Sequence, residues 1–162
     1  MVAAELAKLD AASGYRLILI LDPSGVRKDA MLQKWIYHQT YPFAWIRLDH
    51  SDNELVSFIP HLRACMGSTG LFPTALPLQD ECPTWEDCLT ATLNAAIDVP
   101  QDFFLILDDF HNITSPDIHR ALGWMLDYIP EQMHLLITSR QPFPLPVPRL
   151  RMRRQVLEIV LG

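Results

Sequence analysis

The chain has 162 residues, of which 49% are hydrophobic and 20% charged, a composition that suits one globular α/β domain spanning residues 1–162. The formal net charge of −6 disfavours a nucleic-acid-binding surface, because neutralising phosphates needs clustered lysine and arginine. The apolar runs are far shorter than the roughly 20 residues of a membrane helix, and the amino terminus resembles no secretion signal, so we expect a soluble, cytoplasmic protein without membrane contacts.

Five short apolar runs alternate with helical patterns, which predicts βα units around a mostly parallel five-stranded sheet. The first run, Leu17–Leu21, is continuous rather than alternating, as strands that are covered on both faces require. The predicted strands are Arg16–Leu21, Ala44–Leu48, Phe103–Leu107, Leu135–Thr138 and Val156–Val160.

Start signals mark the helices that follow these strands. A helix is predicted from about Arg27, and three more begin at a capping-box-like Ser51-x-x-Glu54, at Thr84 and at Ser115-Pro116. Two proline-rich stretches, Gly67–Pro83 and Gln141–Pro148, predict irregular connections, and the second excludes a regular helix or a central strand.

The cysteines and histidines show no metal-binding pattern. Cys65, Cys82 and Cys88 are odd in number and lack C-x-x-C spacing, which favours reduced thiols over disulfides or zinc. The six histidines likewise have no ligand spacing, so the sequence predicts no metal site of this kind. We expect His111 to be a buried or capping histidine rather than a catalytic one.

The segment after the first strand resembles an altered phosphate-binding loop. Against the template G-x-x-x-x-G-K-[ST], the two glycines are replaced by Asp22 and Arg27, the lysine is retained as Lys28, and the hydroxyl residue is replaced by Asp29. Because a helix amino terminus attracts anions, we expect Asp29, together with Asp22, to occupy the place of a phosphate. The alternative is an ordinary solvated first turn of a helix.

Asp108 and Asp109 directly follow the buried run Phe103–Leu107. A nucleotide hydrolase holds Mg²⁺ and polarises water at this position, although a strand end turning into solvent also commonly uses aspartate. Arg140 follows the fourth strand, where an arginine can sense a γ-phosphate or simply lie on the surface. The basic run Arg149–Arg154 indicates a solvated face or a docking surface, with an acidic partner or nucleic acid as the alternatives.

Read together, these motifs resemble the nucleotide-binding domain of the STAND regulators of the maltose-regulon activator type, the MalT-like or large LuxR-type transcription regulators. Asp22–Asp29 is similar to their A-P-A-G-Y-G-K-T-T loop, and Ala44–Asn53 to their A-W-L-x-L-D-x-x-D-N stretch. Leu105–His111 is similar to L-V-L-D-D-Y-H, and His134–Glu158 to H-L-V-I-A-S-R followed by P-L-P, R-L-R and L-E. Their order and spacing along most of the chain make the resemblance specific.

The resemblance implies a three-layer P-loop NTPase fold of the additional-strand type. It also implies that Gly25 and Lys28 contact phosphates and that Asp108 holds Mg²⁺. Asp109 would polarise water as the catalytic residue, and Arg140 would sense the γ-phosphate. The departures at Asp22, Arg27 and Asp29 fall on the phosphate cradle, so binding of ATP or ADP with Mg²⁺ is expected to be weakened.

The leading functional hypothesis is a regulatory domain, degenerate as an ATPase, that acts through contacts with downstream regulator domains or with a second copy and not directly on nucleic acid. One alternative is a weak ATP/ADP switch that uses the retained Lys28 and Asp108. Another is a free-standing protein-interaction module. Because the chain ends at Leu161-Gly162, directly after a predicted strand, we expect it to be part of a longer regulator.

Overall fold

The structure is a computed structural model that describes residues 2–72, 83–142, 145 and 147–162. The described strands form one five-stranded, all-parallel sheet with the order β2-β3-β4-β1-β5. The strands are β1 (Leu17–Leu21), β2 (Phe43–Arg47), β3 (Phe103–Asp108), β4 (Met133–Ser139) and β5 (Val156–Val160). The helices are α1 (Val2–Leu9), α2 (Lys28–His38), α3 (Leu55–Gly67), α4 (Trp85–Ile97), α5 (Pro116–Tyr128) and α6 (Pro148–Met152).

The position of β4 confirms the additional-strand topology. β4 lies between β1 and β3, so that Leu135 pairs with Leu17 on one side and with Leu105 on the other. The prediction of a mostly parallel sheet is confirmed, and every strand pair is parallel. The carboxyl ends of β1, β3 and β4 therefore meet at one edge of the sheet.

Helices cover both faces of the sheet, which confirms the three-layer arrangement. Successive residues of β1 point to opposite faces, so Leu17 and Leu19 join one apolar cluster whereas Ile18 and Ile20 join the other. The first cluster includes buried residues of α3, α4 and α5, and the second those of α1 and α2. Strands buried on both faces are the reason that β1 reads as a continuous apolar run.

The five predicted strands are found; β5 has its predicted bounds, and the ends of the others are displaced by at most two residues. The largest difference is β4, which begins at Met133 rather than at Leu135 because Met133 and His134 pair with β3. The sequence did not predict α1, an eight-residue helix at the amino terminus, although its Leu9 packs into the second apolar cluster.

Only one of the predicted helix caps forms as expected. Thr84 accepts a hydrogen bond from the backbone N–H of Asp87 at 3.2 Å and caps α4. The capping box predicted at Ser51 is wrong, because Ser51 lies in a 3₁₀ turn and donates to Asp49, whereas α3 begins after Glu54 without a side-chain cap.

The start of α5 also differs from the prediction. Pro116 takes the first helical position as expected, but the Ser115 side chain makes no capping bond. Asn53 instead accepts from the backbone N–H groups of Thr114 and Ser115, at 3.0 and 2.9 Å, and ties this start to the turn before α3. Asn53 therefore holds the residues just before α5, whereas the first turn of the helix has no side-chain cap.

Parts of the predicted irregular connections lie outside the described residues, namely 73–82 in the first and 143, 144 and 146 in the second. Cys82 lies there as well, whereas Cys65 is a free thiol that donates to the Trp45 carbonyl. Burial raises the pKa of the Cys65 thiol. In the described part of the chain, no helix has both the length and the apolar character needed to cross a membrane.

Candidate functional site

The loop between β1 and α2 is closed by the carboxylate of Asp22, which is fully buried. One oxygen of Asp22 accepts hydrogen bonds from the backbone N–H groups of Arg27, at 2.9 Å, and Lys28, at 3.0 Å. The other oxygen accepts from the backbone N–H of Ser24 at 3.2 Å and from its hydroxyl at 2.6 Å. Asp22 therefore binds the amino terminus of α2 with its own negative charge.

This contact places a carboxylate where a helix start would attract a phosphate. Burial would raise the pKa of Asp22, but the hydrogen bonds from Ser24, Lys28 and Arg27 outweigh burial and hold that pKa below its ordinary value. Asp22 therefore stays ionised, and its two acceptor oxygens occupy the N–H groups that a phosphate would need.

The assignment of Asp29 as the main occupant of this anion position is wrong. The Asp29 carboxylate contacts the amino group of Lys28 at 2.9 Å and the guanidinium of Arg47 at 3.4 Å. Two cations draw it away from the helix amino terminus, whereas Asp22 precedes the turn and can fold back over it.

Lys28, the first residue of α2, is buried among three carboxylates. Its side chain is 2% exposed, and Nζ lies 2.8 Å from Asp108, 2.9 Å from Asp29 and 3.0 Å from Asp109. Burial alone would lower the pKa of Lys28, but the hydrogen bonds to these three carboxylates raise it above its ordinary value. Lys28 is therefore a permanent cation whose three donors are all engaged.

Asp108, at the end of β3, is fully buried and saturated with donors. One oxygen accepts from Lys28 at 2.8 Å and from the Thr138 hydroxyl at 2.5 Å. The other accepts from Trp45 Nε1 at 3.3 Å and from Arg47 Nε at 3.2 Å. Burial would raise the pKa of Asp108, but the hydrogen bonds from Lys28 and Thr138 lower it below its ordinary value.

Arg47 is a site residue that the sequence analysis missed. It is the last residue of β2 and pairs in register with Asp108 of β3, so both side chains reach the carboxyl edge of the sheet. The negative charge of Asp108 raises the pKa of the Arg47 guanidinium, which is 59% exposed. The available signal was a charged residue near the end of an otherwise apolar predicted strand, Ala44–Leu48.

Asp109, the predicted catalytic residue, is held as an ion-pair partner of Lys28. Its backbone has φ of 62° and ψ of 46°, in the left-handed region, which aspartate tolerates better than bulky or β-branched residues do. The backbone N–H of Asp109 donates to the Thr138 hydroxyl at 3.0 Å. The Thr138 hydroxyl thus holds both Asp108 and Asp109, because it donates to the Asp108 carboxylate and accepts from the Asp109 backbone.

Gly25 and Arg140 are in direct contact. Gly25 has φ of +73°, and a Cβ atom placed on it would lie 2.2 Å from Arg140 Nε, so the arginine side chain lies across the loop. The backbone N–H of Arg140 donates to Nδ1 of His111 at 3.3 Å. Burial lowers the pKa of His111, which is half-buried and accepts this hydrogen bond.

The structure thus brings Lys28, Asp108 and Asp109 into one cluster and places Arg140 against Gly25 on the same loop. These residues do not fit a magnesium nucleotide, because four carboxylates surround the loop and, in the part of the chain that the structure describes, the cations that contact them are Lys28 and Arg47. The carboxylates are those of Asp22, Asp29, Asp108 and Asp109. Among the described residues, no group of histidine, cysteine, aspartate and glutamate side chains is arranged to hold a metal ion.

Comparisons with known proteins show that the chain is similar to one part of a longer transcriptional regulator. No family model matches it. The chain is 33% identical over 158 residues to the HTH-type transcriptional regulator MalT of Cronobacter sakazakii, covering 95% of this chain and 17% of that protein. It is 31% identical to MalT of Serratia proteamaculans with the same coverage. The chain therefore spans about a sixth of the length of these relatives.

Solved structures show the same fold at low sequence identity. Cdc6p of Pyrobaculum aerophilum has a TM-score of 0.61 and 16% identity, with 97% of this chain and 44% of that chain covered. The Aeropyrum pernix ORC1 protein, solved in complex with DNA, has a TM-score of 0.61 and 12% identity, with 99% and 44% covered. These similarities establish the P-loop NTPase fold.

Proposed function

Because this chain is a MalT-like domain with the P-loop NTPase fold, we propose that residues 1–162 serve as the regulatory domain of a transcription or signalling regulator and do not hydrolyse nucleotide. The similarity covers 95% of the chain, which supports a shared regulatory role rather than the chance sharing of one short motif. The activity of the full-length relatives is not carried over with the fold, since the chain matches only 17% of their length.

One observation carries the proposed loss of nucleotide chemistry: the Asp22 carboxylate holds the backbone N–H groups of Arg27 and Lys28. A β-phosphate would have to displace this buried carboxylate and accept the same hydrogen bonds. It would also meet the Asp29 carboxylate where a metal-ligating hydroxyl is needed. The retained Lys28 offers little compensation, because three aspartates already neutralise it.

We propose that the domain acts instead through protein contacts, either with downstream regulator domains or with a second copy. The basic segment before β5 supports this choice, since the chain is otherwise acidic. Arg151 pairs with Glu158, whereas Arg149 and Arg154 have no ion pair among the described residues and remain available. Exposed cations of this kind accelerate association and make it sensitive to salt more than they make it tight.

Phosphate release tests the first part of the proposal. The chain should release no phosphate from Mg²⁺-ATP above the level of Asp108→Asn, a variant that keeps the shape of the side chain but removes its charge. Steady release by the natural chain that disappears in Asp108→Asn would show a working ATPase and reject the proposal. Sedimentation of the chain at low and high salt tests the second part, because self-association through cations weakens as salt increases.

A weak ATP/ADP switch is the second candidate. Two contacts support it: Arg140 lies against Gly25, and Lys28 Nζ lies 2.8 Å from Asp108, so the residues to which the resemblance gives nucleotide contacts lie close to the same loop. Under this alternative, nucleotide would bind without turnover and would stabilise the domain.

A further inference from the structure

A cavity lies at the amino ends of the strands, at the edge of the sheet opposite to Asp108. Its volume is about 340 Å³, at the lower end of the range for small-molecule sites. Polar and apolar groups contribute about equally to its lining, which includes Ser13, Tyr15, Arg16, His134, Arg153 and Gln155. These residues precede or begin β1, β4 and β5, so three segments of the chain converge on the cavity.

Hydrogen bonds hold the walls of this cavity in place. The backbone N–H of Arg16 donates to the carbonyl of Gln155 at 3.1 Å, and the Arg16 carbonyl accepts from Leu135 at 2.9 Å. The imidazole of His134, which is buried, contacts the Tyr15 carbonyl through Nδ1 at 2.7 Å. The cavity is therefore largely preformed, which reduces the ordering cost of binding.

The charges around the cavity favour an anion. Arg16 and Arg153 form no ion pair within the described part of the chain, and the one carboxylate in the lining, Glu131, is exposed. The nearby Asp102 carboxylate is directed at Nε2 of His134, 2.8 Å away, and so does not neutralise the arginines.

We propose that this cavity binds a small anion carrying a carboxylate or phosphate group, held by the guanidinium groups of Arg16 and Arg153. Planar guanidinium groups present paired N–H donors that match such oxyanions. A ligand held by both arginines would tie the turn before β5 to the loop before β1 and would stabilise that end of the sheet. This site is independent of the proposed loss of nucleotide binding, which concerns the opposite edge.

The test is a titration of the ¹⁵N-labelled chain with inorganic phosphate and, separately, with malonate, followed by two-dimensional NMR. We expect saturable shifts at the backbone amides of Gly14, Arg16 and Gln155, with a Kd of about 1 mM or tighter for at least one of the two anions. The anion that saturates identifies the preferred group. The amides of Arg27 and Lys28 report separately on the opposite edge of the sheet.

Arg16→Gln/Arg153→Gln should weaken binding by about tenfold or more, which corresponds to the loss of a charge-assisted contact. Arg153→Gln alone, at an exposed position outside any helix or strand, tests the same contact without endangering the fold. Lys34→Gln removes an exposed cation that does not line the cavity and should leave the affinity unchanged. Shifts that do not saturate, that persist in the double variant or that centre on Arg27 and Lys28 would overturn the proposal.

Discussion

The carboxylate of Asp22 lies 3.0 Å from the backbone nitrogen of Lys28, at the helix end where a nucleotide phosphate would bind in a working loop. Three aspartates meanwhile surround the Lys28 side chain. Asp22 therefore occupies the backbone donors at the start of α2, and Asp29, Asp108 and Asp109 neutralise the charge of Lys28. Loss of nucleotide binding would follow from both contacts together.

Asp22→Asn should lower the free energy of unfolding at pH 7 by about 1–2 kcal/mol, because charge-assisted hydrogen bonds to the start of α2 are weakened. Since the folded-state pKa of Asp22 is depressed, its contribution is present above the unfolded pKa of about 3.9 and is lost as pH falls through the folded value. Urea unfolding of both proteins from pH 7 downward should give curves that converge in acid.

The control for this prediction is Asp117→Asn, which removes an exposed carboxylate and should change stability by less than about 0.5 kcal/mol. Parallel curves for Asp22→Asn and the natural chain at every pH would contradict the assigned role of Asp22, since a group without linked protonation produces no convergence.

Lys28→Met should destabilise the domain by about 3 kcal/mol, because it removes the buried cation and leaves the fully buried Asp108 with the exposed Arg47 as its cationic partner. Adding Asp108→Asn to this variant should recover part of the loss by removing the buried negative charge. Denaturant unfolding at neutral pH measures both effects. Lys34→Met, an exposed position on the same helix, serves as the control and should change little. No recovery in the double variant would show that the two side chains are not energetically coupled.

Gly25→Ala should destabilise the domain by about 1–2 kcal/mol, because alanine is strained at φ of +73° and its Cβ would meet the Arg140 side chain. Arg140→Ala should relieve the collision but not the backbone strain, so the double variant should recover only part of the loss. Gly14→Ala is a matched control, since its Cβ would enter open space. Equal effects at Gly25 and Gly14 in thermal unfolding would refute this description of the loop.

Rebuilding the loop should restore nucleotide binding if the rest of the site is intact. We expect Asp22→Ala/Arg27→Gly/Asp29→Thr to be stabilised by ATP or ADP, by about 2.7 kcal/mol at a hundredfold excess over Kd. Thermal unfolding with and without nucleotide measures this. The control adds Lys28→Ala, which should remove the gain. If neither ATP nor ADP raises the melting temperature of the triple variant, then the substitutions that abolished nucleotide binding extend beyond these three residues.

The sheet could be predicted from the sequence because strands buried on both faces need continuous apolar runs. The contact between Lys28 and Asp108 could also be predicted, because the carboxyl ends of the parallel strands β1 and β3 lie at the same edge of the sheet. The choice of Asp22 over Asp29 did not follow, because Asp29 pairs with its neighbour Lys28 and with Arg47, a cation supplied by a distant strand. The cap at Ser115 did not form either, and the hydrogen bonds that Asn53 accepts from Thr114 and Ser115 could not be read from the local pattern. Local patterns therefore predicted elements, whereas long-range competition decided side-chain contacts.

The most direct test of the central claim is calorimetric titration of the unaltered chain with ATP and with ADP, each with and without Mg²⁺. With Asp22 on the backbone donors and Lys28 neutralised, we predict no saturable binding at nucleotide concentrations up to about 1 mM. Stoichiometric binding with a Kd of about 10 µM or tighter, abolished by Lys28→Ala, would contradict the account and establish a nucleotide switch instead.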